Sequence, residues 1–403
     1  MHGGNEFRLR TCAASRRIGP ILGGRSAVNF GFSEEQELLR KTARDFLAKH
    51  APMTRVREVM AGPDAHAPEI WRQLADLGFT GLAFDESVGG AGLGMVELCA
   101  VAEELGRALT PVPFLPTVIA GIAVAELGDA AQCARWLAPI CTGDAMATLA
   151  ITEDRGSEDP ADIALRATTD GDGFRLDGRK RFVPDAAVAD FFVVVARTGT
   201  GDSADVGLFA VPRASAGVSV DPMASMDLLR PLAEVTFDGV AVPADALLGG
   251  DRHAGPRLAR VLDRARVLIA AEGVGGAEVC LEASVAYAKE RVQFGKPIGV
   301  NQAIKHKCAD MLFAVESARS ITYYAAWAAA EANDEAPLTA AMAKAFVSDA
   351  YRDVSAANIQ IHGGVGFTWE YDCHLYFKRA KSDEAWLGSA PQHRERVARM
   401  LDL

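Results

Sequence analysis

From Phe30 onward apolar residues recur at helical spacing. Ser33-Glu-Glu-Gln36 predicts a capping box, with Ser33 as N-cap and Gln36 reaching back to it. Leu38, Leu39, Ala43, Phe46 and Leu47 then mark one face of a first helix. Ile70, Trp71, Leu74, Leu77 and Phe79 predict a second, closed near Gly78. A glycine-rich stretch from Phe84 to Gly94 follows, then a helix through Val96, Leu98, Val101 and Leu105. No clear strand precedes that stretch and no Gly-Lys-Ser/Thr follows it, so it reads as a helix connector rather than a nucleotide cradle. Helical patterning continues to about Leu137.

Near Ala145 the period changes. Short β-rich runs appear at Ala147–Thr152, Ile163–Thr168, Gly173–Asp177, Phe191–Ala196, Gly207–Pro212, Val218–Val220 and Ala233–Val240. Turn signals such as Asp170-Gly-Asp-Gly and Asp177-Gly178 punctuate them. Such spacing predicts an antiparallel sandwich or small barrel. Pro243 and Gly249-Gly250 mark its exit, and long apolar-periodic helices run from about Pro256 to the end as an up-down bundle. The fold class is α+β: an all-helical N-terminal domain (29–143), a β-domain (144–252) and a four-helix-bundle-like C-terminal domain (253–403). Residues 1–28 stand apart, with five arginines against the single acid Glu6. They read as a disordered extension, with a transit peptide as the alternative.

Composition narrows the partners. A net charge of -11 argues against nucleic acid as the main ligand. No apolar run is long enough to span a bilayer. Seven scattered cysteines show no CxxC or zinc-like spacing, which favours a reduced, cytoplasmic protein. His306 and His362 lack the spacing and carboxylate company of a metal site, so no metal is expected.

Two motifs carry the chemistry. The first, Arg291-Val-Gln293-Phe294-Gly295-Lys-Pro297, continues to Gln302. The second runs Gln360-Ile-His362-Gly363-Gly364-Val-Gly366. A guanidinium, amides and close-approach glycines suit a phosphate-bearing cofactor. Either motif alone is a common helix ending; in this order, with helices between, the chain resembles the acyl-CoA dehydrogenase family, whose signature has the form R-x-x-F-G-x-x-[IL]…Q…Q-[IL]-x-G-G-x-G.

The resemblance implies FAD as cofactor and α,β-dehydrogenation of an acyl-CoA thioester. It implies that Arg291, Gln293, Phe294, Gln302, Gln360, Gly363 and Gly364 contact the dinucleotide part of a flavin seated mainly in a neighbouring subunit. In the β-domain, Thr152-Glu-Asp-Arg-Gly-Ser157-Glu-Asp stands for the family's T-E-P-x-x-G-S-D, leaving Thr152 and Ser157 as hydroxyl donors. Gly178-Arg-Lys-Arg-Phe182-Val-Pro184 stands for G-x-K-x-[WY]-[IV]-[TS]. Phe182 can stack on a flavin ring, but Pro184 has neither hydroxyl nor N–H to offer it. Arg266 resembles the family's arginine near the thioester or CoA; Asp263, one turn earlier, reads as touching the pantetheine or orienting Arg264, with an ordinary i,i+3 surface pair as the equal alternative.

The base departs from the pattern. The family's glutamate in [YW]-E-G-T falls on Leu387, and the other position some members use falls on Ala265; neither can accept a proton. Glu272, two helical turns beyond Ala265, is the remaining candidate. Its Ala and Gly neighbours should leave it little polar company and raise its pKa; the bland alternative is an ion pair within helix packing. Asp383 and Glu384 are further candidates, expected to be solvated. The departures resemble actinobacterial members acting on bulky steroid side-chain or cyclic acyl groups, some of which are mixed tetramers. A non-catalytic partner subunit that completes the FAD site is therefore the second reading. The resemblance also implies a homotetramer or heterotetramer, with electron-transferring flavoprotein as electron acceptor.

Overall fold

Ser33 Oγ accepts from the Gln36 amide, and the Gln36 side chain returns to the Ser33 amide, closing the capping box that the sequence predicts. The computed structural model describes residues 32–62, 65–199 and 205–403; the extension expected over residues 1–28 lies outside them. The N-terminal helices are α1 (Glu34–His50), α2 (Met53–Met60), α3 (Pro68–Asp76), α4 (Met95–Arg107), α5 (Phe114–Leu127), α6 (Ala130–Trp136) and α7 (Ala138–Cys141). The glycine-rich stretch before α4 is a connector, as its sequence suggests. α5 is buried almost throughout and packs on both the sheet and the long helix that follows it.

Seven strands form one sheet: β1 (Ala147–Ala150), β2 (Arg166–Asp170), β3 (Gly173–Pro184), β4 (Phe191–Arg197), β5 (Val206–Pro212), β6 (Val218–Met223) and β7 (Leu232–Pro243). The spatial order is β1-β4-β2-β3-β7-β6, with β5 also on β4. Most pairs are antiparallel, as expected, but β1 runs parallel to β4, and β2 meets β4 through one parallel pair. The chain reaches β4 only after the β2–β3 hairpin, so no tight turn joins β1 to β4 and a parallel alignment is open to them. β4 is continuously apolar because both its faces are covered. Phe191, Val193 and Val195 join the core shared with the helices, while Phe192, Val194 and Ala196 join the core inside the sheet.

Asp177-Gly178 is not a turn. It lies inside β3, where the register slips between Leu176 and Gly178 and Gly178 has φ 139°. The glycine marks a bulge, not a chain reversal. A second slip falls between Lys180 and Val183.

The C-terminal part holds α8 (Gly255–Glu290), a small hairpin of β8 (Val292–Gln293) and β9 (Lys296–Pro297), then α9 (Gln302–Ala330), α10 (Ala336–His362), α11 (Cys373–Ala385) and α12 (Ala390–Met400). α8, α9 and α10 pack on one another, and α4 crosses α8 closely. A Cβ on Gly275 would stand 1.9 Å from the Glu103 carbonyl oxygen, and one on Gly106 2.1 Å from that of Glu272. Glu103 and Glu104, buried on α4, are held by Arg40 and Arg44 of α1 and by Arg319 and Tyr323 of α9.

Candidate functional site

A cavity of about 390 Å³ opens between the sheet and the C-terminal helices. Its walls come from the loop after β1 (Thr152, Gly156, Glu158), the end of β3 (Phe182, Pro184), the β6–β7 link and the end of α11 (Trp386, Leu387). This volume is within the ~300–1,000 Å³ usual for small-molecule sites. The second β3 bulge explains Phe182. It has φ 55°, and its ring lines the cavity and remains 42% exposed. Bulges re-aim side chains in this way.

The loop after β1 is pinned at Glu153. Its carboxylate accepts from Lys180 Nζ at 2.6 Å and from the Ala164 and Leu165 amides at 2.7 and 3.0 Å. Burial lowers the Lys180 pKa to about 8, and Glu153 opposes that fall. Arg197 clamps the far end of the loop through the Pro160 and Ile163 carbonyls. Thr152 and Glu158 therefore sit on a loop tied down at both ends.

The opposite wall turns at Leu387, which has φ 56° and is buried. A non-glycine residue in this region stores strain, and surrounding bonds must hold it. The Leu387 carbonyl accepts from Arg266 Nε at 3.3 Å and meets His393 Nε2 at 2.8 Å. Burial, reinforced by the Arg266 charge, lowers the His393 pKa to about 3. The ring is therefore neutral, with its proton placed on Nε2 facing the carbonyl. Lys344 Nζ donates to the carbonyls of Asp383 and Gly388, bracketing the same turn.

A buried ionic cluster adjoins the cavity, and two of its members, Asp227 and Arg230, form part of the cavity wall. Arg230 Nη2 donates to both oxygens of Glu272, at 2.8 and 2.6 Å, and Arg230 Nη1 to Asp383 at 2.5 Å. Arg379 donates to Asp227 at 2.5 Å and to Glu272 at 3.0 Å. Asp185 completes the group and is also buried. Four carboxyls thus face two guanidinium groups in a desolvated volume, where four full negative charges cannot be matched. Burial favours the neutral form of Asp383, assisted by the Glu272 charge, and raises its pKa to about 8. Burial likewise pushes Asp185 up to about 7, against Arg230 and Arg379.

Glu272 differs from the expectation. Burial alone would raise its pKa, but Arg230 and Arg379 bring it below the usual carboxylate value. The small neighbours along α8 supply no polar company; the guanidinium groups arrive from the β6–β7 link and α11, which the local sequence does not reveal. Glu272 does not line the cavity. Asp383 is buried rather than solvated. Glu384 pairs with Lys381 and Arg352.

Asp263 also departs from one reading. It pairs with Arg266 at 2.9 Å and Arg396 at 2.7 Å, while Arg264 turns to Glu126. It therefore orients Arg266, whose guanidinium bridges Asp263 and the Leu387 turn. Of the cofactor candidates, Thr152 and Phe182 line the cavity; Ser157 lies between two lining residues and accepts from the Asp159 amide instead. Arg291, Gln293, Phe294, Gln302, Gln360, Gly363 and Gly364 are exposed on the helical part, outside the cavity. Gly363, at φ 68°, ends α10 in a conformation suited to glycine. His362 stacks on Tyr287 and bonds the Asn358 carbonyl, a packing role. No metal-ligand cluster occurs among the described residues. No described helix is long and apolar enough to cross a membrane.

Helices on either side of a strand sheet enclose a cavity at the sheet–bundle junction whose wall includes the Phe182 ring and the Thr152 hydroxyl. Sequence patterns of the acyl-CoA dehydrogenase N-terminal, middle and C-terminal domains match residues 33–144, 148–240 and 256–401. The chain is 34% identical to the acyl-CoA dehydrogenase IpdE2 of Mycobacterium tuberculosis, over 88% of this chain and 94% of that one. It superposes on the Tcur3481-Tcur3483 steroid ACAD G363A variant with TM-score 0.83 and 33% identity, covering 92% of this chain and 98% of the other. On the ChsE4-ChsE5 complex from Mycobacterium tuberculosis the TM-score is 0.85 at 30% identity, covering 93% and 99%. The chain belongs to the acyl-CoA dehydrogenase family, whose cofactor is FAD and whose reaction is the α,β-dehydrogenation of acyl-CoA thioesters.

Proposed function

We propose that this chain dehydrogenates a bulky or cyclic acyl-CoA, with Leu387 standing where the family carries its usual glutamate. The observation that carries the reading is the cavity itself, in which Phe182, Thr152 and Leu387 meet on one surface. Phe182 offers a ring face to the flavin and Thr152 a hydroxyl to its edge, so the residues present fit that group. The flavin, when bound, supplies the two-electron acceptor. Arg291, Gln293, Phe294, Gln302, Gln360, Gly363 and Gly364 would hold the dinucleotide part, and Ser157 the loop beside it. Their exposure suits contact with a cofactor shared across a subunit boundary. Likeness to the steroid ACAD and to the two-component ChsE4-ChsE5 complex favours a large acyl group and either a homotetramer or a heterotetramer.

The chain's own groups set up the step. Arg266, fixed by Asp263, presents positive charge beside the Leu387 turn. Such a charge stabilises the electron density that develops on a thioester oxygen as its α-proton leaves. The apolar Leu387 and Trp386 wall excludes water and strengthens that effect. Electron-transferring flavoprotein is the proposed acceptor of the electrons. The test is a flavin absorbance spectrum of the purified protein, followed by ferrocenium-linked turnover of short, branched and ring-bearing acyl-CoAs. A flavin-loaded protein that turns over none of them overturns the proposal. An apo chain that gains flavin and activity only with a co-expressed relative selects the heteromeric form.

A further inference from the structure

We infer that Glu158 takes the α-proton of the acyl thioester, an inference that rests on the reaction proposed above. Glu158 lines the cavity together with Thr152, Phe182 and Leu387. The other acids nearby are engaged. Asp227 also lines the cavity, but it is held by Arg379 at 2.5 Å and by the Leu229 amide at 2.9 Å. Glu153 is bound to Lys180 and two amides, and Glu272 and Asp383 are paired with Arg230 and do not line the cavity. Glu158 makes no ion pair within 4.0 Å among the described residues; its own backbone amide is the hydrogen-bonding group that acts on it, which leaves acceptor capacity on the cavity wall for a ligand. Its position is nonetheless fixed, because the loop is anchored at Glu153 and clamped by Arg197.

The surroundings suit a base. Partial burial raises the Glu158 pKa, while Arg266 and Lys344 act at longer range to keep the ionised form accessible. A carboxylate made more basic in a half-dry cavity is the arrangement that proton abstraction needs. Arg266 then serves two ends, steadying the Leu387 turn and acting electrostatically on the Glu158 carboxylate. In the step, the Cα–H bond breaks and its proton passes to a Glu158 carboxylate oxygen. The electron pair left behind forms the second Cα–Cβ bond. The β-hydrogen would leave with two electrons, for which FAD, when bound, would supply the acceptor, so the thioester would be oxidised by two electrons and the acceptor reduced by two. The sequence signal is slight: Glu158 adjoins Ser157 within the Thr152–Asp159 motif, and only the cavity distinguishes it.

The experiment reads proton abstraction apart from turnover. The flavin-loaded protein, with its partner chain if one is required, is reduced with dithionite so that no hydride can be transferred. It is then incubated in D2O with octanoyl-CoA and with 3-cyclohexylpropionyl-CoA, and α-deuterium uptake is followed by mass spectrometry. Wild type should exchange. Glu158→Gln should lose exchange and oxidative turnover by about 100-fold or more, at unchanged flavin content and Tm, and Glu158→Asp should restore part of both. Wild-type exchange in Glu158→Gln, or loss of exchange in Glu272→Gln alone at unchanged Tm, overturns the inference and leaves the reaction standing. A flavin-loaded wild type with neither exchange nor turnover overturns the proposed reaction and this inference together.

Discussion

Arg230 grips both carboxylate oxygens of Glu272, from the β6–β7 link to the middle of α8. The contact is buried on both sides, and removing one partner leaves a desolvated charge behind. Glu272→Gln should therefore destabilise the fold by roughly 3–5 kcal/mol. Urea unfolding of the variant and wild type checks this; equal midpoints would return Glu272 to the list of catalytic candidates.

The same cluster predicts a pH dependence. Asp383 and Asp185 have folded pKa values of about 8 and about 7 against an ordinary 3.8. Both are raised, so the folded state binds more protons between these limits. Their contribution is fully present below about pH 4 and is lost as pH rises through 7 to 8. Each should lower stability on the order of 1 kcal/mol per pH unit across that window. Asp383→Asn removes one titration, and the slope of unfolding free energy between pH 5 and 8 should flatten. An unchanged slope would show that Asp383 is ionised in the fold.

Phe182 touches the solvent of the cavity rather than the core, so Phe182→Ala should change stability by only about 0.5 kcal/mol. Its loss should appear in flavin retention. Removing one ring stack, worth ~1 kcal/mol, should weaken binding about five-fold. The ratio of flavin to protein absorbance after gel filtration measures it.

Lys180→Met takes away the buried ammonium that holds Glu153. The two amides remain, so the loop should loosen rather than unfold. Hydrogen exchange should rise selectively over residues 152–165 while the helices keep their protection. Uniform exchange across the chain would refute the local anchor.

Gly275→Ala places a methyl group where the Glu103 carbonyl stands. α4 and α8 must separate, at a cost of about 1–3 kcal/mol or more. Thermal unfolding of the variant and wild type checks this; a variant with unchanged Tm would mean that the crossing adjusts freely.

Much of the architecture was legible because it follows from period. The Ser33 cap, the long C-terminal helices and the strand succession from Ala147 to Pro243 each leave a local mark. The β1–β4 alignment does not, since strand direction is settled by how the chain returns and not by the residues in the strand. Gly178 shows a related limit, because a glycine that ends one strand and a glycine that bends one look alike until the partner strand is known. Motif and cavity wall coincide at Thr152, Phe182 and Leu387. The surroundings of Glu272 were not legible: Arg230 and Arg379 are 42 and 107 residues away along the chain. Burial of Asp383 on a charged helix was hidden for the same reason.

The group of buried charges has a mechanical side. Its members come from the end of β3, the β6–β7 link, α8 and α11, so sheet and bundle are riveted through one shared point. Neither piece can open without stranding a guanidinium in a dry interior. Heat should accordingly dismantle both in a single calorimetric peak, and the floor of the cavity should be among the last places to give way.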